Sequence, residues 1–195
     1  MYKKTTFYLI LILVTLFQSC ASFDKELINP NQLNKQTINQ LNGRYGIVPF
    51  KFDSISKEAK KQIWTYNSFL TEIDRKLLKD TLKIDSMKTY SFDLKVLNPK
   101  KLKVSYLENG EIFRERILKT KLKKDGYLYL KNKNIGFLLV PYIAGAIDIK
   151  RTRLTKSENG NIVFDVVNHR SGAFLIVVFL DGRTWKYRQE YQQIE

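Results

Sequence analysis

The sequence has a single cysteine, Cys20, and a single histidine, His169, among its 195 residues. One cysteine excludes an intrachain disulfide and a multi-cysteine zinc site, and one histidine excludes a multi-histidine metal site. The sequence also lacks the Gly-x-Ser-x-Gly elbow of serine hydrolases and a glycine-rich phosphate loop. Carboxylate pairs such as Glu111 and Glu115 do not have a spacing typical of acid–base chemistry. These absences predict a non-enzymatic protein without a cofactor or a metal.

Acidic residues are scarce, because 19 Asp and Glu stand against 34 Lys and Arg, giving a formal net charge of +15. The imbalance is largest between residues 90 and 135, which hold 12 basic and 5 acidic residues. A positive field attracts anionic partners such as lipid headgroups, lipopolysaccharide or nucleic acid. The alternative is a solvated, lysine-rich face without a ligand.

The N-terminus carries a short apolar stretch. Lys3 and Lys4 precede 13 residues, Thr5 to Phe17, that are apolar except for threonines. This stretch is too short for a comfortable transmembrane helix, which needs about 20 apolar residues. A positive segment followed by a short apolar one is typical of a secretory signal.

Residues 1–20 resemble a bacterial lipoprotein signal. In that family a small residue precedes a cysteine that receives a diacylglycerol thioether before cleavage; here Ser19 precedes Cys20. Phe17 stands where leucine is usual, and Gln18 is larger than the usual residue at its position. Such relaxed signals ending in Ser-Cys are similar to those of Bacteroidota. The alternatives are ordinary cleavage after Ala21, which would release a soluble protein, and an uncleaved anchor.

The resemblance implies that the lipid bilayer is a partner, through acylated Cys20. Two or more acyl chains make such attachment stable, at about 0.8 kcal/mol per buried CH₂. No aspartate directly follows Cys20, which by the family's sorting rule favours the outer membrane. The segment Asp24–Glu26 is a poor match to an acid-rich surface-export signal, so the periplasmic face is favoured. An exported, tethered domain rarely meets nucleic acid, so we expect no nucleic-acid partner.

Composition divides the rest of the chain in two. Residues 21–40 are polar, with four Asn and three Gln between positions 29 and 40, and this predicts a tether. The competing interpretation is a short capped helix that starts at Asn29-Pro30. Residues 41–195 are predicted to form a single β-rich domain, since the chain is long enough to bury one core.

One long amphipathic helix is predicted, from about Lys57 to Lys79, after a first strand at Leu41 to Phe52. Ser54 or Ser56 can cap it. Its apolar residues recur at spacings of three and four and form one stripe. The stripe consists of Ala59, Ile63, Tyr66, Leu70, Ile73 and Leu77.

The remainder alternates apolar and polar residues between turn signals, as strands do. Asn-Gly and Asp-Gly favour the positive φ that tight hairpins need. The dipeptides are Asn109-Gly110, Asp125-Gly126, Asn159-Gly160 and Asp181-Gly182, with a further turn predicted at Ser171-Gly172. About ten strands in meander order predict a mainly β fold that closes into a barrel or half-barrel, because closure hides sheet edges.

The start of this domain resembles lipocalins. The sequence Leu41-Asn42-Gly43-Arg44-Tyr45 is similar to the Gly-x-Trp of their first strand, with Tyr45 in place of tryptophan. Arg188, on the last strand with Trp185, is similar to the arginine that packs across that tryptophan. The helix departs from the lipocalin pattern, in which it follows the barrel. A helical insert after the first strand is more similar to intracellular fatty-acid-binding proteins.

Four arginines are candidate ligand-binding residues. Arg114 and Arg116 share a strand face, and so do Arg151 and Arg153. If both faces line a barrel, four guanidinium groups can meet a carboxylate or phosphate. The alternative is that these arginines lie in water, because buried unpaired arginines are costly.

Together these patterns predict a membrane-anchored envelope lipoprotein that binds an apolar or anionic amphipathic ligand. The alternative is a structural or assembly accessory that binds an envelope protein partner.

Overall fold

The computed structural model describes residues 22–24, 26–54, 73, 85, 87–131, 134–140, 144–174 and 178–195. Cys20 and the rest of the predicted signal lie outside these residues. The predicted helix from Lys57 to Lys79 also lies outside them, except for Ile73. Ile73 has helical backbone and is fully buried in the core.

Ten strands form one antiparallel sheet in the described part of the chain. Nine of them follow the order β1-β3-β4-β5-β6-β8-β9-β10-β2, and β7 pairs with β8 beside this path. The prediction of a mainly β, antiparallel meander curled into a half-barrel is therefore confirmed. The strands are β1 (Gly43–Gly46), β2 (Lys51–Ser54), β3 (Tyr90–Asn98), β4 (Lys101–Glu108), β5 (Glu111–Leu122), β6 (Leu128–Leu130), β7 (Asn134–Val140), β8 (Ala144–Lys156), β9 (Ile162–Phe174) and β10 (Val178–Tyr191).

The C-terminal residues after β10 return to β1. Tyr45 of β1 forms an antiparallel bridge with Gln193. The amide of Gly46 also donates a hydrogen bond to the carbonyl of Gln192, at 2.9 Å. Because β1 pairs with β3 on its other side, these bonds link the first strand of the sheet order to the residues that follow β10, near its other end.

Three of the four predicted turn dipeptides lie in turns between strands. Asn109 and Gly110 have φ values of 51° and 85°, and Gly126 and Gly160 have 73° and 81°. Glycine adopts this left-handed conformation without the steric cost that a Cβ atom adds, and asparagine tolerates it. At these positions the dipeptide alone was sufficient to predict the turn.

The predicted turn at Asp181-Gly182 is wrong, because both residues lie inside β10. There β10 gains one residue relative to β9, which makes a bulge. Ser171-Gly172 likewise lies within β9 rather than in a turn. Glycine suits a bulge as well as a turn, so the dipeptide alone does not separate the two.

Aromatic rings fill the centre of the sheet. Tyr45 stacks on Phe92 with ring centroids 5.5 Å apart, and Tyr191 lies 5.7 Å from Phe92 and 5.0 Å from Phe164. All four side chains are fully buried. Aromatic pairs at these distances add roughly 0.5–1.5 kcal/mol each beyond the burial of their area.

Residues 29–40, which the polar composition predicts as part of a tether, pack on the sheet together with Leu41, the first residue of the predicted domain. Leu33, Ile38 and Leu41 are buried, and Ile38–Leu41 forms a 3-10 helix. Asn34 accepts hydrogen bonds from two backbone amides that follow it, those of Gln36 and Thr37. The polar side chains thus satisfy the backbone while the few apolar ones enter the core.

Candidate functional site

Asp165 is a buried carboxylate held between two arginines. It lies on β9 directly opposite Arg153 of β8 and Arg188 of β10. Arg153 Nε lies 2.9 Å from Oδ2 and Arg188 Nε lies 2.7 Å from Oδ1. Asp165 is fully buried. A buried carboxylate needs such partners, because an unpaired one is costly to remove from water.

This row of charges lies on the outer face of the sheet. The neighbours Leu154 and Phe164 belong to the core, and side chains alternate between faces along a strand. Arg153 and Asp165 therefore point away from the core. A second layer of chain must cover them, since Arg153 has only 7% of its side chain exposed.

Two tyrosines complete the surroundings of the arginines. The hydroxyl of Tyr127 accepts a hydrogen bond from Arg188 Nη2 at 3.0 Å, and the guanidinium of Arg153 lies 3.8 Å from the centre of the Tyr127 ring. Burial, with the charge of Asp165, raises the pKa of Tyr127 to about 12. Burial by itself lowers the pKa of Arg153, because it disfavours the charged form. The hydrogen bond to Tyr129 and the charge of Asp165 outweigh this effect and keep the pKa above its ordinary value.

The covering layer is a segment that we call the strap, residues 22–24 and 26–33. The Leu33 amide donates to the Gly126 carbonyl at 3.0 Å, and Arg188 Nη1 donates to the Ile28 carbonyl at 3.1 Å. Thr155 Oγ1, on β8, donates to the Asn31 carbonyl of the strap at 2.7 Å. These bonds fix the strap to three separate parts of the sheet.

Phe23 places an aromatic ring over the charges. The Arg153 guanidinium lies 4.7 Å from the centre of the Phe23 ring, with Tyr127 as its second aromatic neighbour. Phe23 also makes an edge contact with Tyr129, at 5.4 Å between centroids. A guanidinium near aromatic faces is stabilised by their quadrupoles.

A cavity of about 520 Å³, which we call the strap cavity, opens between the strap and the sheet. Its wall combines three basic, two acidic, three aromatic and four other residues. They are Lys123, Arg151 and Arg153; Asp24 and Asp125; Phe23, Tyr127 and Tyr129; and Ser22, Leu27, Asn29 and Gln32.

Both acids of the wall have partners. Asp125 accepts a hydrogen bond from the Tyr129 hydroxyl at 2.6 Å, and Asp24 lies 3.6 Å from Lys186 Nζ. Lys123 Nζ lies over the Tyr129 ring, 3.7 Å from its centre. Burial lowers the pKa of Lys123, and the nearby charge of Arg151 lowers it further against the opposing effect of Asp125. An anion in the strap cavity would relieve this repulsion.

Arg153 also keeps one unused donor. Within the described part of the chain, its Nη2 atom is buried and has no hydrogen-bond partner. A buried donor without a hydrogen bond costs about 1–3 kcal/mol of stability. Acceptor oxygens of a bound anion are the natural complement of such a group.

The structure divides the four candidate arginines between two faces. Arg114 and Arg116 on β5 lie opposite Tyr106 and Val104 of β4, which belong to the core, and are therefore on the inner face. Arg151 and Arg153 lie on the outer face and line the strap cavity. The sheet thus separates the two pairs, and the outer pair meets Lys123 instead.

Arg188 and Tyr45, on which the predicted resemblance to lipocalins rests, have different surroundings. Arg188 contacts Asp165 and the strap on the outer face. Tyr45 stacks on Phe92 in the core and donates its hydroxyl to the Leu41 carbonyl at 3.0 Å.

Sequence reasoning missed Asp165, Lys123 and the strap. A usable signal for Asp165 was present, because a carboxylate stands within the otherwise apolar run Ile162–Val167. A charge in such a run indicates a buried ion pair. The strap has no comparable pattern, since its contacts are mainly backbone and amide hydrogen bonds.

Among the described residues, no group of His, Cys, Asp and Glu is arranged to hold a metal ion. None of the helices found in that same part of the chain is long and apolar enough to cross a membrane. No protein-family model matches the sequence, and no curated protein or solved structure gives a significant match.

Proposed function

We propose that this protein is a lipoprotein of a bacterial envelope, anchored on the periplasmic face of the outer membrane through acylated Cys20. Its domain binds an anionic amphipathic ligand in the strap cavity and catalyses no reaction. The anchor is supported by the signal-like pattern of residues 1–20. The binding function is supported by the chemistry of the strap cavity.

The observation that carries the binding function is the state of Arg153. Its guanidinium is buried, one of its donors has no partner among the described residues, and it lines a cavity with Lys123 and Arg151. Phe23 and Leu27 add an apolar wall to the same cavity. Cations beside an apolar wall suit a ligand with an anionic head and a hydrocarbon part.

The proposed ligand site therefore lies outside the half-barrel. Lipocalins, which the strand pattern resembles, bind their ligands in the barrel interior. Here the rings of Tyr45, Phe92, Phe164 and Tyr191 are fully buried in the described interior. The proposed resemblance to lipocalins concerns the sheet alone.

Calorimetry with dodecyl phosphate tests the binding site, with uncharged dodecyl maltoside as the reference amphiphile. We expect the double variant Lys123→Ala, Arg151→Ala to lose roughly 30-fold in affinity, at about 1 kcal/mol for each basic side chain. The double variant Lys95→Ala, Lys101→Ala is the control, since it removes the same charge from exposed positions on β3 and β4. Equal affinities for the two double variants would reject the site.

Mass spectrometry of the mature protein tests the anchor. The wild-type chain should begin at Cys20 and carry acyl mass, and the Cys20→Ala variant should carry none. A wild-type protein that begins at Ser22 without lipid would show that the signal is an ordinary secretory one.

A second candidate function is an assembly accessory that binds an envelope protein. Exposed apolar side chains on β5 favour it: Ile112 is 54% and Ile117 is 63% exposed. A photocrosslinker at Ile117 should then give one stoichiometric protein adduct in cells. A crosslinker at Lys51, exposed on β2 at the other edge of the sheet, is the control, and equal, diffuse labelling at both positions would reject this function.

A further inference from the structure

We propose that the strap cavity binds the phosphate-bearing headgroup of a lipid in the membrane leaflet that holds the acyl chains of Cys20, so that the turn between β5 and β6 faces the bilayer. This inference rests on the proposed function. It adds the class of ligand and the orientation of the domain on the membrane.

Covalent geometry places the anchor beside the cavity. Ser22 and Phe23 form part of the cavity wall, and Cys20 precedes Ser22 by two residues. Two residues of fully extended chain span at most about 7 Å. Acyl chains on Cys20 therefore enter the membrane close to the cavity, wherever the intervening backbone runs.

The charges around the cavity favour an anionic surface. Lys123, Arg151 and Arg153 line it, and Lys121 and Lys124 lie within two residues of Lys123 in the sequence. The two acids of the wall already have the partners described above. A phosphate group offers several oxygens to the guanidinium and ammonium groups, while Phe23 and Leu27 can contact the adjoining hydrocarbon.

The opposite end of β5 lies far from the cavity and carries two glutamates. Glu111 begins β5 and lies directly across from Glu108 of β4. The 12 residues of β5 place this end about 37 Å from Leu122, at roughly 3.4 Å per residue. The basic side chains that line the cavity thus lie near the anchor, whereas the turn at the far end of β5 is flanked by Glu108 and Glu111, of which Glu108 pairs with Lys88.

The lone cysteine makes the orientation measurable. Acylation consumes the sulfur of Cys20, so Lys124→Cys and Glu111→Cys each provide one site for a fluorophore, and both positions are exposed. The mature lipidated protein is placed in phosphatidylcholine vesicles, with or without phosphatidylglycerol, that contain a lipid with a nitroxide on its headgroup. We expect the label at position 124 to be quenched several-fold more than the label at 111, and more so with phosphatidylglycerol.

The cavity variant tests whether headgroup binding causes this orientation. Lys123→Ala with Arg151→Ala should lower quenching at position 124, whereas Lys95→Ala with Lys101→Ala should not.

Equal quenching at 124 and 111, or equal effects of the two double variants, overturns the inference while leaving the anchor and binding of dodecyl phosphate intact. Inorganic phosphate that binds with an affinity unaffected by vesicles identifies a free anion as the ligand and also overturns it. A chain that does not float with the vesicles lacks the anchor, and this overturns the anchoring part of the proposed function together with the inference.

Discussion

Arg153 and Asp165 face each other across β8 and β9, with Nε 2.9 Å from Oδ2 and both side chains more than nine-tenths buried. The pair lies on the outer face, where the sheet alone would leave it in water. The strap removes it from water, so the ion pair and the strap depend on each other. This dependence gives the following predictions.

The first prediction concerns the shared carboxylate. Asp165→Asn removes the buried carboxylate that Arg153 and Arg188 share, and leaves Arg153 with the more distant Asp125, 3.9 Å away. We expect a loss of about 3–5 kcal/mol in the free energy of unfolding. Urea unfolding measures it. Asp93→Asn is the control, since Asp93 pairs with Arg44 at a more exposed position and should cost at most about 1 kcal/mol. Similar losses in both variants would contradict the prediction.

The second prediction concerns the strap as part of the fold. Leu33 is 3% exposed and Ile28 is 81% exposed, although both belong to the strap. Leu33→Ala should lower the free energy of unfolding by about 2–4 kcal/mol, whereas Ile28→Ala should change it by less than about 0.5 kcal/mol. If the strap were a loose tether, both variants would unfold at the wild-type urea concentration.

The third prediction compares two turn glycines with left-handed backbone. A Cβ atom at Gly126 would lie 2.6 Å from Gln32 Cα in the strap, whereas one at Gly110 would have no neighbour within 4 Å. Gly110→Ala should cost about 1–2 kcal/mol from its φ value alone. Gly126→Ala should cost at least about 1 kcal/mol more, because the strap must move.

Hydrogen exchange distinguishes the two glycine variants further. The Leu33 amide donates to the Gly126 carbonyl, so its exchange should accelerate in Gly126→Ala and remain unchanged in Gly110→Ala. Unchanged protection of Leu33 in both variants would show that the strap does not depend on this contact.

The fourth prediction concerns alkaline pH. The pKa of Tyr127 is raised to about 12 in the folded state, above its ordinary value of about 10. The unfolded chain therefore loses this proton first, and stability present below pH 10 is lost as the pH rises towards 12. Tyr127→Phe cannot ionise, but it loses the hydrogen bond from Arg188.

The Tyr127→Phe variant should thus be about 1 kcal/mol less stable than the wild type at pH 8. Its disadvantage should shrink between pH 10 and 12, as measured by urea unfolding across that range. Burial also raises the pKa of Tyr129, so Tyr129→Phe should change in the same direction over this range. A constant difference between Tyr127→Phe and the wild type over this range would contradict the assignment.

The sequence by itself determined the class of fold and many of its turns. Alternating residues such as Tyr90, Phe92 and Leu94 have to place one set of side chains on one face, and Asn109-Gly110 has to turn, because these are local steric and burial effects. It also determined that Cys20 can form no disulfide within the chain.

Tertiary structure decided the rest. Strand alternation predicts that Arg151 and Arg153 share a face but not which face is inside, because that depends on how the sheet curls. The meeting of Arg153, Asp165 and Arg188 depends on the register of three strands, and the placement of Phe23 depends on contacts more than 100 residues apart in sequence. Such long-range pairings leave no local pattern, so the strap and its cavity emerge only when the chain is folded.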